Sequence, residues 1–196
     1  MRKLSVMAVF VSLVVLLFGI GLTRTSASDM RDMGSVQQRL YVKFLPSVPK
    51  LEYSLYRTAP IEVARVFGRV PACAEADSEF IELVARQAVD ASVDARLLAA
   101  LVAVESSCNQ FAISSRGAIG YTQIMPKVWN EKYDFTRRYN LLNARDNLHV
   151  GGLILSDLVW THGVWEGVRR YQGTGQGCNT CDPSYTAKIL NLAGRR

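Results

Sequence analysis

Residues 104–126 of the chain read VESSCNQFAISSRGAIGYTQIMP. The stretch follows an apolar run, Leu97–Val104, and begins by placing one carboxylate, Glu105, directly after that run. A polar segment that contains glycine comes next, and it closes on the four residues 123–126. This arrangement raises the question of whether Glu105 is a catalytic acid or an ordinary helix terminus.

The hydrophobic pattern around this stretch is helical. Apolar residues recur at intervals of three and four after Asp77, where Asp77 or Ser78 is a suitable N-cap, and a second helix follows Asp94, which is also a suitable N-cap. Further helices are predicted over about 147–160, 165–171 and 183–192, with a short amphipathic one over 61–70. Because no segment alternates with a period of two for long, the predicted fold class is mainly α.

The helix that begins at Asp94 explains why Glu105 is a candidate acid. Leu98, Leu101 and Glu105 share one helical face, and this face is apolar upstream of the glutamate. An apolar environment disfavours the charged carboxylate and raises its pKa. A carboxyl group still protonated near neutral pH can protonate the leaving oxygen of a glycosidic bond. Glutamates near helix ends are, however, commonly solvated and without chemistry, so the residue alone does not establish a function.

Three blocks of the sequence resemble the lytic transglycosylases of the Slt type, a family that shares its fold with goose-type lysozyme. The first block comprises Glu105-Ser106, SSRGAIG at 114–120 and QIMP at 123–126. The second is NLHVG at 147–151, and the third, which matches less well, is RYQG at 170–173. The resemblance implies a lysozyme-like helical domain that acts on peptidoglycan glycan strands.

The resemblance also implies roles for particular positions. Glu105 falls on the family's single catalytic acid/base, and no metal or cofactor is implied. Four further positions fall on residues that line the sugar groove: Ser114, Gln123, Met125 and Tyr171. The residue types agree with this, because Gln123 offers both a donor and an acceptor to sugar hydroxyl and acetamide groups.

The sequence also departs from the family pattern. Tyr121-Thr122 stands where a Leu-Met pair is usual, which predicts a groove wall more polar than typical. Gln172 stands where an asparagine usually follows the tyrosine of the third block. Cys108 and the Cys178/Cys181 pair are additions, and we expect them to crosslink the Glu105 helix to the C-terminal loop.

The N-terminal residues predict export. Met1-Arg2-Lys3 is followed by the uncharged, almost wholly apolar segment Leu4–Leu22 and by small residues at 25–27. This pattern is typical of a signal peptide, and its length also permits a retained membrane anchor. The sequence therefore divides into a signal or anchor (1–27), a proline-containing stalk or peripheral extension (28–72) and the lysozyme-like domain (73–196). The predicted location is the periplasm, with anchoring to the inner membrane through residues 4–22 if the segment is retained.

The four cysteines, Cys73, Cys108, Cys178 and Cys181, favour disulfides in an exported protein. Three pairings are possible, and the sequence does not choose between them. Half of a zinc site or a redox motif at 178–181 is the alternative, but the chain has only two histidines and the motif lacks the strand-to-helix context of redox pairs.

The reaction that the resemblance implies is cleavage of the β-1,4 bond between N-acetylmuramic acid and N-acetylglucosamine, with a 1,6-anhydro product. A hydrolytic muramidase is one alternative, and it would need a second acid, for which Asp134 and Asp146 are the nearby candidates. A non-catalytic wall-binding module is another. The net charge of +6 is too diffuse to indicate nucleic acid. A secretion, conjugation or pilus apparatus is a predicted partner by analogy with small family members.

Overall fold

The computed structural model of the chain describes residues 48–133, 138–172 and 181–195. The apolar segment Leu4–Leu22 and Cys178 lie outside these ranges, so the predictions made for them stay predictions. Among the described helices, none combines the length and the apolar character that crossing a membrane requires.

The described residues form seven α-helices, which confirms the mainly α class. In chain order they are α1 Val48–Phe67, α2 Ser78–Asp90, α3 Ala95–Ser106, α4 Pro126–Tyr133, α5 Ala144–His162, α6 Val164–Gln172 and α7 Pro183–Leu192. A short 3-10 turn, Pro71–Cys73, connects α1 to α2. Extended pairing within the described ranges is limited to isolated bridges that join Ile119 to Ile113 and to Ile124.

Helix starts follow the capping residues of the sequence. The Asp77 side chain accepts a hydrogen bond from the backbone of Phe80, and Asp94 caps α3 in the same manner, as predicted. The N-cap of α5 is Asn143, so this helix begins earlier than the predicted Asn147. Each cap satisfies a backbone N–H that would otherwise lack a partner in the first turn.

Helix α3 lies at the centre of the core. Its residues from Leu97 to Ala103 are all buried, as its nearly uniform apolar sequence predicts. Helices α2 and α7 both pack against it, and α5 packs against α2 and α6. The last turn of α3, which carries Glu105, therefore ends inside a shell of neighbouring helices.

Helix α1 lies upstream of residue 73, where the lysozyme-like domain is predicted to begin. The sequence predicted a short helix from Ile61, but the helix begins at Val48 and continues through Pro60. Its second half contributes four residues to the core: Ala59, Val63, Val66 and Phe67. The compact unit begins at Lys50, so it contains every described helix apart from the first residues of α1.

A disulfide joins Cys73 to Cys108, with 5.4 Å between their Cα atoms. It connects the turn before α2 to the residues that follow α3. The expectation that Cys108 crosslinks the Glu105 helix to the C-terminal loop is therefore wrong. Cys73 pairs with Cys108 because the fold buries it beside the end of α3. The sequence separation of the two cysteines alone could not show that they lie close together. Cys181 is disulfide-bonded as well.

Candidate active site

Glu105 lies in the last turn of α3, where the apolar face of the helix meets the surface. Leu98 and Leu101, on the same face, are fully buried, and Glu105 itself is mostly shielded from water. Burial raises the pKa of the Glu105 carboxyl from 4.5 to about 7. This direction agrees with the effect predicted from the apolar face, and a pKa of about 7 leaves Glu105 partly protonated at neutral pH.

The hydrogen-bond partner of Glu105 is Tyr185, on α7. The tyrosine hydroxyl donates a short hydrogen bond to Oε1 of the glutamate, which partly opposes the effect of burial on the pKa of Glu105. Burial and the neighbouring carboxylate raise the pKa of Tyr185 well above its ordinary value, so its hydroxyl keeps its proton. We call Glu105 and Tyr185 the acid pair.

Sequence reasoning missed Tyr185, although one signal was present. Tyr185 and Ile189 are four residues apart on the predicted helix 183–192, and Ile189 is buried. A tyrosine on the inward face of a helix needs a polar partner for its hydroxyl. The periodicity could have indicated that Tyr185 faces inward and needs a polar partner. It could not identify that partner, because Glu105 is 80 residues away in the sequence and meets Tyr185 only in the tertiary fold.

The glycine-containing segment after α3 forms a tight turn around Ser114. The Ser114 hydroxyl accepts a hydrogen bond from the Ala118 backbone at 3.0 Å, and the backbone carbonyl of Ser114 accepts one from Gly117 at 2.9 Å. Gly120 has a φ of +78°, and a Cβ atom there would lie 2.1 Å from Nδ2 of Asn147. Glycine is therefore required at position 120 by both conformation and space.

Gln123 stabilises this turn from within. Its Nε2 donates to the carbonyl oxygens of Ala112 at 3.1 Å and Gly120 at 3.0 Å, and its backbone has a positive φ of 49°. Both protons of the side-chain amide are thus engaged with the backbone. Gln123 is predicted to offer a sugar both a donor and an acceptor. These contacts occupy the Nε2 donor and do not involve the Oε1 acceptor.

Met125 and Tyr171 are the other two residues predicted to line the sugar groove. Met125 is partly buried and packs against the core. Tyr171 is buried, and its hydroxyl donates to the Thr122 carbonyl at 2.9 Å. Tyr171 lies close enough to Tyr185 to raise the pKa of that tyrosine, which places it beside the acid pair.

The prediction of a polar groove wall at Tyr121-Thr122 is wrong. Tyr121 is 8% exposed, and its ring stacks on Phe80 of α2 with 4.4 Å between ring centroids. Thr122 is fully buried. Both side chains belong to the interior of the domain because the turn bends this dipeptide inward, towards α2 and α5.

Thr122 is bonded to Asn147, whose side chain is completely hydrogen-bonded. Its Oδ1 accepts from the backbone and the hydroxyl of Thr122, and its Nδ2 donates to the carbonyls of Ile119 and Leu141 at 2.9 and 3.0 Å. A Cβ on Gly151, one turn further along α5, would lie within 2.7 Å of the Thr122 side chain. We call Asn147, Thr122 and Tyr171 the asparagine cluster, and it fixes the turn against α5 and α6.

With this geometry established, comparison with protein families identifies the domain. A family profile described as the transglycosylase SLT domain matches residues 82–179. The chain belongs to this family. Searches of curated proteins and of solved structures gave no match. The family acts on peptidoglycan as a lytic transglycosylase, and the matched residues include Glu105, the turn and the asparagine cluster.

The matched region of this SLT domain ends before α7, so Tyr185 lies outside it. The second-acid candidate Asp146 lies in the first turn of α5, where its carboxylate accepts from the Asn140 backbone at 2.8 Å. Asp134, the other candidate, lies outside the described residues. In the described part of the chain, no three side chains of His, Cys, Asp or Glu are grouped so that they could hold a metal ion.

Proposed function

We propose that this SLT-family protein cleaves the β-1,4 bond between N-acetylmuramic acid and N-acetylglucosamine with formation of a 1,6-anhydro product, using Glu105 as its single acid/base. The observation that carries the proposal is the acid pair. Burial raises the pKa of Glu105 to about 7, so the same group can donate and accept a proton near neutral pH.

The proposed first step is proton transfer from Glu105 to the glycosidic oxygen as the bond between that oxygen and the anomeric carbon breaks. Glu105 becomes a carboxylate, and the hydrogen bond from Tyr185 stabilises this charged form. A carboxylic acid in an apolar site suits this step, since proton donation is most effective when the acid has a pKa near the working pH.

In the proposed second step, Glu105 removes the proton from the 6-hydroxyl of the N-acetylmuramic acid. The hydroxyl oxygen attacks the anomeric carbon and closes the 1,6-anhydro ring. Glu105 is protonated again at the end, so no water is consumed and one carboxyl group suffices. Mechanisms with two carboxyl groups instead need a second acid on the other side of the sugar.

The groove residues complete the proposal. Ser114, Gln123, Met125 and Tyr171 would line the sugar site, with the Gln123 oxygen as an acceptor for a hydroxyl or acetamide N–H. The turn and the asparagine cluster hold these residues in place before substrate arrives, which reduces the entropy lost on binding.

We also propose that residues 1–27 export the domain to the periplasm, with residues 4–22 in contact with the membrane where the segment is retained. Arg2 and Lys3 supply positive charge at the start of this segment, and residues 4–22 are uncharged and almost wholly apolar, which supports this assignment. A secretion, conjugation or pilus apparatus that must pass through the wall is the proposed partner, on the analogy with small family members alone.

The experiment that tests the reaction is digestion of purified peptidoglycan, followed by mass spectrometry of the released muropeptides. Wild type is compared with Glu105→Gln and with Glu75→Gln, a matched change at an exposed glutamate. We expect products one water lighter than hydrolytic products from wild type and Glu75→Gln, and none from Glu105→Gln. Products with ordinary reducing ends would show a muramidase. A folded wild type that binds the wall and releases nothing would contradict an enzymatic function.

A further inference from the structure

The residues directly after Glu105 have an unusual backbone. Helix α3 ends at Ser106, and both Ser107 and Cys108 have positive φ angles, of 53° and 62°. Glycine is the residue that adopts this left-handed conformation at little cost, and it commonly ends helices for that reason. Two consecutive residues with side chains are strained here, so the surrounding structure must hold them.

The disulfide is attached at this strained point. Cys108 is the third residue after Glu105, and its partner Cys73 is 1% exposed within the core. The backbone of Cys73 is itself fixed, since its N–H donates to Val70 at 2.8 Å and its carbonyl accepts from Ala76 at 3.0 Å. The crosslink therefore ties the end of α3 to a buried residue whose backbone is hydrogen-bonded outside α3.

We propose that the Cys73–Cys108 disulfide is a positioning device for the catalytic acid: it holds the left-handed turn closed and thereby keeps Glu105 in its shielded place against Tyr185. The inference rests on the proposed function for its catalytic meaning, while its physical content, the environment of Glu105, can be measured separately. Without the crosslink, the strained turn relaxes, the last turn of α3 frays, and water reaches the carboxyl group.

Among the described residues, two tyrosines act on Glu105 or on its hydrogen-bond partner. Tyr185 on α7 is hydrogen-bonded to it, and Tyr171 on α6 acts on Tyr185. Burial and the Tyr185 hydrogen bond are the two causes that set the pKa of Glu105, and burial is the larger. Since burial raises this pKa, admission of water lowers it towards the ordinary 4.5.

The test is the pKa of Glu105, measured by carbon NMR titration of its carboxyl group in the whole protein. We expect Cys73→Ser/Cys108→Ser to lower this pKa by roughly one unit or more, and to shift the alkaline limb of peptidoglycan cleavage to lower pH by the same amount. Val63→Ala is the control for a general loss of stability, because it removes buried atoms from α1 and leaves the crosslink in place.

A second variant, Cys73→Ser/Cys108→Gly, keeps the test decisive if the double serine variant does not fold. Glycine adopts the left-handed conformation readily, so this variant loses the crosslink but not the turn. We expect its Glu105 pKa to lie below that of wild type and, where the double serine variant folds, above that of the double serine variant. A Glu105 pKa equal to that of wild type in every folded variant without the crosslink, or an equal shift in Val63→Ala, would overturn the proposal. The NMR titration does not depend on activity, so failure of the proposed function would be seen separately, in the muropeptide products.

Discussion

The acid pair and the asparagine cluster are both buried polar sites, and they differ in how completely their polar atoms are hydrogen-bonded. Every hydrogen-bonding atom of the Asn147 amide has a partner, and the cluster carries no charge. Within the described part of the chain, Glu105 has one neutral donor, Tyr185, and burial raises the pKa of Glu105 to about 7. A fully bonded polar group stabilises a fold, whereas an incompletely compensated acid is unstable as an ion and ready to exchange a proton.

The largest effect that separates the two sites is expected from Glu105→Gln. Loss of the acid should lower the rate of peptidoglycan cleavage by about a thousandfold or more. The same variant should be more stable than wild type at pH 8, because it removes an acid that is costly to ionise in the folded state. Cleavage assays and urea denaturation at several pH values measure the two effects.

The pH dependence of that stability follows from the direction of the pKa shift. Below about pH 4.5 the glutamate is protonated in both the folded and unfolded states, so the substitution brings no gain. Between about pH 4.5 and 7 the unfolded state ionises first, and the stability of wild type falls. Above about pH 7 the gain is constant, on the order of 3 kcal/mol. A gain that persisted at pH 4, or one equally large in Glu75→Gln, would contradict this explanation.

Asn147→Leu should have the second-largest effect, on stability. The leucine has a similar size but leaves the Thr122 N–H and the Leu141 carbonyl without their partner, while the Ile119 carbonyl keeps its hydrogen bond from the Ile124 backbone. Buried groups left unpaired cost about 1–3 kcal/mol each, so a loss of about 3–5 kcal/mol is expected in urea denaturation. A loss below about 1 kcal/mol would mean that the cluster does not hold the turn.

Tyr185→Phe should show what the tyrosine hydroxyl contributes to the acid pair. The hydrogen bond from the tyrosine lowers the pKa of Glu105, so its removal raises that pKa further. The alkaline limb of the pH–activity profile should therefore move to higher pH, and the rate should fall about tenfold because the carboxylate loses its donor. A limb that moves to lower pH would show that the loss of the hydroxyl admits water instead.

Tyr171→Phe should have the smallest effect and is the control for Tyr185→Phe. It removes the hydroxyl that donates to the Thr122 carbonyl, and a typical hydrogen bond contributes about 1 kcal/mol to stability. The alkaline limb should stay where it is in wild type. An equal movement of the limb in both variants would mean that the two tyrosines act on Glu105 as one unit.

What could be predicted from the sequence was mostly local. The caps at Asp77 and Asp94 and the last helix, Pro183–Leu192, were correct because capping and proline chemistry act within a few residues. The apolar face that raises the pKa of Glu105 was visible for the same reason. The elevated pKa needs only the helix and its buried surroundings, both of which the periodicity of the sequence indicates.

What the sequence did not reveal depends on tertiary contacts. Tyr185 meets Glu105 across the fold, and Cys108 meets Cys73 in the core. Tyr121 looked like a groove residue, but its ring stacks inside the domain. Helix α4 was missed because its sequence has little apolar periodicity, and its buried Trp129 is recognisable only from the fold.

The measurement that tests the central claim most directly is the pKa of the Glu105 carboxyl group in wild type, read from carbon NMR with the signal assigned by its absence in Glu105→Gln. The structure predicts a value of about 7, well above the ordinary 4.5. A titration close to 4.5 would show that Glu105 is a solvated helix terminus, and the proposed acid/base would have to be found elsewhere.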